Sequence, residues 1–167
     1  MVSEEIVEAS CREVAAFSAR AARLHMEALA RRQRELLAFV TTMTEELSTE
    51  AQETAIYAFV VICRMFERSV TTKLPKAKHG RIAAAYEKIN DGLGRLIVAN
   101  ERFVERHALV TTGTEPFVMR YVAETLLEPD DPAAHLSDDE IGEVFICLQT
   151  VVDVLHDVSA PDTPGSA

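Results

Sequence analysis

The chain has 167 residues, 48% of them apolar and 26% charged, with a net charge of −10. Length and composition fit one globular domain with a real core, and they exclude collagen-like, low-complexity and disulfide-stapled chains. The charge is uneven, at −3 over residues 1–72, +4 over 73–110 and −11 over 111–167, which argues against nucleic acid wrapped around the whole molecule and leaves two local basic patches.

Ser3 is a good N-cap for a first amphipathic segment that could run from residue 3 to 47. As one helix it would be roughly 65 Å long at about 1.5 Å per residue, so it bends or projects. Val7, Val14, Phe17, Ala21, Leu24 and Ala28 keep one apolar phase. Leu29, Leu36, Val40, Met43 and Leu47 keep another, rotated by roughly 100°. The change of phase predicts a break near 28–34, around "RRQR" (Arg31–Arg34).

Thr49 with Gln52 makes a capping box for a helix over 50–72. Its seam is Ala55, Ile56, Phe59, Ile62, Cys63, Phe66 and Val70, and a second stripe of Ala58, Val61 and Met65 suggests cover on two sides. "KLPKAKHG" interrupts with a proline and a glycine. A third helix is predicted over 76–109, where Ile82, Tyr86, Ile89, Leu93, Leu96, Asn100, Phe103 and His107 alternate spacings of four and three. That unbroken phase carries the helix through the turn-like "NDGLG". Thr114 caps a fourth helix over 115–128, with Pro116 in its first turn. Ser137 with Glu140 is a capping box for a fifth, over 138–158. Residues 159–167 ("SAPDTPGSA") have the composition of a disordered tail. The expected fold is therefore an all-α bundle of about five helices with a long N-terminal helix, one domain over 1–158.

Several functions are set aside. The longest apolar run, "AIYAFVVIC" (Ala55–Cys63), is half a membrane span, so no membrane association is expected. "MVSEEIVEAS" lacks the basic start and apolar stretch of a secretion signal. Cys11, Cys63 and Cys147 lie far apart among apolar helical residues, as neither a disulfide framework nor a zinc motif would place them. A reducing cytoplasm suits them. A di-iron bundle needs inward Glu-x-x-His motifs, and the sequence has none. No phosphate-binding glycine loop or nucleophile elbow appears. No metal site and no cofactor are expected.

In the last helix, Asp138, Asp139 and Glu140 fall in the first turn, where the helix dipole favours acids without any metal. Asp153 and His156 are three apart and read as a surface ion pair. "TTGTEP" (Thr111–Pro116) reads as a capped turn rather than an anion cradle, because Glu115 opposes an anion and Pro116 removes an amide. Arg20, Arg23, Arg31 and Arg34 cluster on one side of the first helix, and Lys73, Lys76, Lys78, His79 and Arg81 cluster in the second loop. Both groups are candidate binding residues for phosphates or acidic surfaces, with a solvated face as the plainer alternative.

"RFVERH" resembles the Arg-x4–6-His pattern of HEPN-type ribonucleases, helical bundles that commonly dimerise across that motif. The resemblance implies Arg102 as a phosphate holder and His107 as an acid–base. Thirteen arginines and five histidines yield about one such spacing by chance, and a second, Arg20–His25, is present. Phe103 follows Arg102, where those enzymes often have a polar residue.

These features point first to a non-enzymatic helical interaction module. It would self-associate, with a dimer favoured, or bind a basic protein partner, through the first helix and the acidic C-terminal third. The alternative is a HEPN-like ribonuclease or nucleic-acid-associated protein using Arg102 and His107. A third option is a small-ligand pocket between the second, third and fifth helices, lined by Tyr86, Asn100 and Phe103.

Overall fold

The computed structural model describes residues 1–94, 114–128 and 135–160. Among them the chain forms seven helices and no strand: α1 (Glu4–Ala15), α2 (Ala19–Arg32), α3 (Arg34–Thr44), α4 (Thr49–Ser69), α5 (His79–Gly94), α6 (Pro116–Leu127) and α7 (Asp138–Ser159). The all-α class holds, but the count differs from five, because the N-terminal segment is three helices. No helix of the described residues is long and apolar enough to cross a membrane.

The predicted break near 28–34 is at Gln33, whose backbone (φ −123°, ψ 47°) leaves the helix. Gln33 is the buried residue of "RRQR", only 2% exposed. Its amide Nε2 donates to the Pro75 carbonyl at 2.8 Å, and its Oε1 accepts from the Ala77 N–H at 3.1 Å. Tertiary hydrogen bonds thus hold the kink. A second break, at Ala16–Ser18, was not expected. Alanines favour helix, so propensity does not make it. Ser18 does: it is extended (ψ 160°), and its hydroxyl accepts from the Ala21 N–H at 3.1 Å. Phe17, just before this cap, is held by its N–H to the Val14 carbonyl at 3.2 Å.

The long segment therefore folds back on itself instead of projecting. α1 packs on α4 and α6, α2 on α3, and α3 on α4, α5 and α7. α4 and α7 are the central pair, packed on each other and both on α3 and α6. The two-sided cover expected of α4 is present: Phe59, Ile62 and Phe66 on one side and Ala58, Val61 and Met65 on the other are all fully buried. The seam of α7 is likewise buried at Val144, Phe145, Leu148, Val151, Val152 and Leu155. Cys63 and Cys147 are core residues, and burial pushes both thiols up, that of Cys147 to about 12.

Two caps bind distant parts of the chain. Ser48, one residue before the expected Thr49, is the N-cap of α4, its hydroxyl accepting from the Ala51 N–H. The Ser137–Glu140 capping box forms as expected, with Ser137 Oγ accepting from the Glu140 N–H and Glu140 Oε2 from the Ser137 N–H. The other oxygen, Oε1, accepts from the Ser48 N–H at 2.9 Å. One carboxylate thus closes the N-termini of both central helices.

The cap expected at Thr114 is also displaced. α6 starts at Pro116, and Glu115 precedes it as a buried residue, 2% exposed, with no side-chain bond to its own helix. Its carboxylate accepts instead from the Val2 N–H at 2.7 Å and lies 2.8 Å from His156 Nδ1. His156 is therefore a tertiary partner of Glu115, beyond its expected place on the surface beside Asp153. The tail beyond Ala160, residues 95–109 of the expected third helix, and Thr111–Gly113 lie outside the described residues.

Glu115→Ala strands the Val2 N–H and His156, and should cost about 3 kcal/mol in denaturant unfolding, as for a buried pair losing one member. Glu124→Ala on the exposed side of α6 should change stability by less than about 0.5 kcal/mol. Hydrogen bonds from Ser48 and Ser137 hold the Glu140 carboxyl down at about 2 from the ordinary 4.5. A depressed folded-state pKa contributes stability above the unfolded value and loses it as pH falls towards the folded one. The denaturation midpoint of the wild type should therefore exceed that of Glu140→Ala at pH 7. The gap should narrow steadily from pH 4.5 to about 2.

Candidate interaction surface around α2

α2 packs on α3 and reaches one face of α4 with its end, where Arg32 bonds Glu67. Along that face Glu53, Ile56, Tyr57, Val60, Arg64 and Glu67 follow at steps of one to four residues that keep them on one side of the helix. The first half is apolar and stays open. With Val14 and Phe17 from the end of α1, and Ala22 and Met26 from α2, it forms a groove of about 800 Å³. Tyr57 on its wall is 47% exposed.

The second half is charged. Arg64 holds Glu13 of α1 with two nitrogens, Nη2 at 2.7 Å and Nε at 3.1 Å, and reaches Glu67 with Nη1 at 3.3 Å. Arg68 closes on Glu13 at 2.5 Å, and Arg32 at the end of α2 bonds Glu67 at 3.0 Å. The hydrogen bond from Arg64, joined by that from Arg68, holds the Glu13 carboxyl below its ordinary range. The same bond raises the Arg64 guanidinium. His25 packs on Phe17 with ring centroids 5.2 Å apart. Burial lowers its pKa, and its Nε2 is buried without a hydrogen-bond partner. The network ties the C-terminal ends of α1 and α2 to α4.

The outer face of α2 is different. Arg20, Arg23 and Arg31 are exposed there, with Leu24 at 55% exposure between them. Arg23 bonds Glu27 at 3.1 Å, one helical turn on. Leu29 is the one buried residue of the helix. Arg34, expected with these three, opens α3 across the Gln33 break and is exposed. The second basic group also divides. Lys73 lines a cleft of about 220 Å³ with Arg32, Arg64, Glu67 and Thr72. Lys76 and Lys78 stay on the exposed loop, and Arg81 is in the first turn of α5.

Arg102, His107, Asn100 and Phe103 lie outside the described residues. Tyr86, expected to line a pocket with the last two, sits edge-on to Phe39 of α3 at 5.9 Å. In the other Arg–His spacing, Arg20 is exposed while His25 is held against Phe17. Among the described residues no group of three His, Cys, Asp or Glu side chains is placed to hold a metal ion.

Sequence reasoning missed Glu13, Arg32, Arg64, Glu67 and Arg68 as a cluster. A signal existed: Arg64, Glu67 and Arg68 interrupt an otherwise apolar helix at steps of three and four, so they share a face that needs charged partners. Their partners on α1 and α2 became predictable only with the second break.

Gln33→Ala removes the acceptor of the buried Ala77 N–H and the donor to Pro75. It should cost about 2 kcal/mol and speed amide exchange at Ala77 before the core opens. The chain matches no family model, no curated protein and no solved structure.

Proposed function

We propose that the protein is a non-enzymatic interaction module that pairs with a second copy of itself, the basic outer face of α2 docking on the acidic surface of α7. The observation that carries this is the character of α2. Residues 19–32 hold Arg20, Arg23, Arg31 and Arg32 against Glu27, a net +3 on a chain of −10. Three of those arginines, Arg20, Arg23 and Arg31, are exposed on one side of the helix around Leu24, so the excess charge is concentrated on one face.

The complementary surface is on the same chain. Asp138, Asp139, Glu143 and Asp157 of α7 are exposed, with one base, Arg120, in the whole of 111–167. A two-fold arrangement would make the α2–α7 contact twice from a single pair of surfaces. Charge complementarity of this kind sets orientation and association rate, and it is screened by salt. Free cysteines, two of them buried, suit a cytoplasmic setting.

Sedimentation velocity at low and high salt tests the proposal. The wild type should be a dimer at about 50 mM salt and shift towards monomer near 0.5 M, where the Debye length is only a few ångströms. Arg20→Glu with Arg31→Glu, or Leu24→Asp alone, should leave a monomer with an unchanged melting temperature, since these side chains are exposed. A wild type that is monomeric at low salt, or a charge-reversed variant that still dimerises, would overturn it.

A further inference from the structure

We propose that the cleft where the end of α2 meets α4 and the Thr72–Leu74 strip is a binding site for a small phosphate dianion, free or as a phosphomonoester. The cleft holds about 220 Å³ and is half enclosed, lined by Arg32, Gln33, Arg64, Glu67, Thr72, Lys73 and Leu74. A phosphate group and a few further atoms fill such a space. A dinucleotide or a peptide helix does not fit it.

Arg32, Arg64 and Lys73 face a single lining carboxylate, Glu67, which leaves the cleft at +2. Widening the circle keeps that balance, because Arg68 and Glu13 enter together as a pair. An excess of two positive charges in a concave site, on a chain whose total is −10, is a local anomaly. The repulsion of the distant acids is screened within about 8 Å at physiological ionic strength, so the local excess decides what the cleft attracts.

Arg64 is engaged at three nitrogens by Glu13 and Glu67, so its guanidinium is fixed in place. Among the described residues Arg32 bonds only through Nη1, to Glu67, which leaves Nε and Nη2 of its fork for a tetrahedral oxyanion. Lys73 is exposed and has no carboxylate partner among the described residues. The Thr72 hydroxyl adds a neutral donor on the same wall.

The strip that carries Thr72 and Lys73 is fastened by the buried Leu74 and Ala77 and by the two hydrogen bonds of Gln33 to Pro75 and Ala77. Its donors therefore do not have to be ordered by the ligand. Gln33 links the break between α2 and α3 to this wall, which gives the kink a use beyond packing. The other loop cations, Lys76, Lys78 and Arg81, are absent from the lining, so the site is a pocket and not a basic track for a nucleic-acid backbone.

The test is a ¹H–¹⁵N correlation titration of the full chain with inorganic phosphate and, separately, with glycerol 3-phosphate, against sodium chloride at matched ionic strength. Saturable shifts confined to Gln33, Arg64 and Thr72–Leu74 are expected from at least one of the two. Lys73→Ala should weaken that binding about tenfold, the loss of one hydrogen bond to a charged group. It should leave the melting temperature unchanged, since Lys73 is exposed. Absence of saturable shifts with both ligands, or equal affinity in Lys73→Ala, would overturn the assignment. Dimerisation plays no part in the readout, because Arg20, Leu24 and Arg31 do not line the cleft.

Discussion

Everything in this fold is arranged around one constraint: α4 is a 21-residue helix whose apolar residues point in nearly every direction. Ala51, Ala55, Ala58, Phe59, Val61, Ile62, Cys63, Met65 and Phe66 are all at 0% exposure. A helix with one apolar stripe can lie on a surface, whereas one apolar most of the way round must be surrounded. α7 covers one side. α6 adds part of the remaining cover and the N-terminal segment the rest, and a straight helix over 3–47 could cover only one stripe. Breaks at Ser18 and Gln33 turn that segment into separate covers, α1 and α3 against α4 itself and α2 stacked beside α3. The breaks answer the geometry of α4 more than any weakness in their own residues.

The same constraint explains where charge is buried and how it is satisfied. The face of α4 that becomes polar at Arg64 and Glu67 meets the ends of α1 and α2, and both side chains are only partly exposed. Glu13 and Arg32 meet them. Paired in this way, partly exposed ions cost little and fix the register of α1 and α2 on α4, which apolar contacts alone define loosely. Glu115 and Glu140 do similar work at the opposite end of the sequence. Glu115 joins the Val2 backbone to α7 through His156, and Glu140 joins the starts of α4 and α7. Both are carboxylates that a linear reading assigns to helix ends and that the structure uses between helices.

This marks how far the sequence could be read. Periodicity and caps are local, and what they encode came through: the all-α class, α6 and α7 within a residue of their bounds, the Ser137–Glu140 box, the two-sided burial of α4, and the break at Gln33. The break at Ser18 has a local cause too, but a lone serine among alanines and arginines carries no capping-box glutamate to announce it. What stayed hidden is relational. Nothing adjacent to Glu115 says that its partners are Val2 and His156, 113 and 41 residues away. Nothing next to Lys73 says that Arg32 and Arg64 line the same cleft. Candidate sites grouped by closeness in sequence were accordingly divided by the fold: Arg34 left its group at the kink, and Lys73 left the loop cluster for the cleft.

The internal use of acids also narrows the surface left for a partner. Of the carboxylates in 111–167, Glu115 is enclosed, Glu140 is consumed by two caps, and Glu124 lies beside Arg120. Arg120 in turn is paired with Glu4 of α1, so the only base of that region is occupied at home. The exposed acids of α7 stand mainly in its first two turns, as Asp138, Asp139 and Glu143. Those turns are the positive end of a helix dipole, which offsets part of their charge and holds them there at little cost to the fold. α2 mirrors this, with Arg31 and Arg32 in its last turn, where the dipole favours cations. Each helix thus keeps its charge for a reason of its own stability. Arg32 bonds Glu67 within the chain, whereas Arg20 and Arg31 make no such ion pair among the described residues.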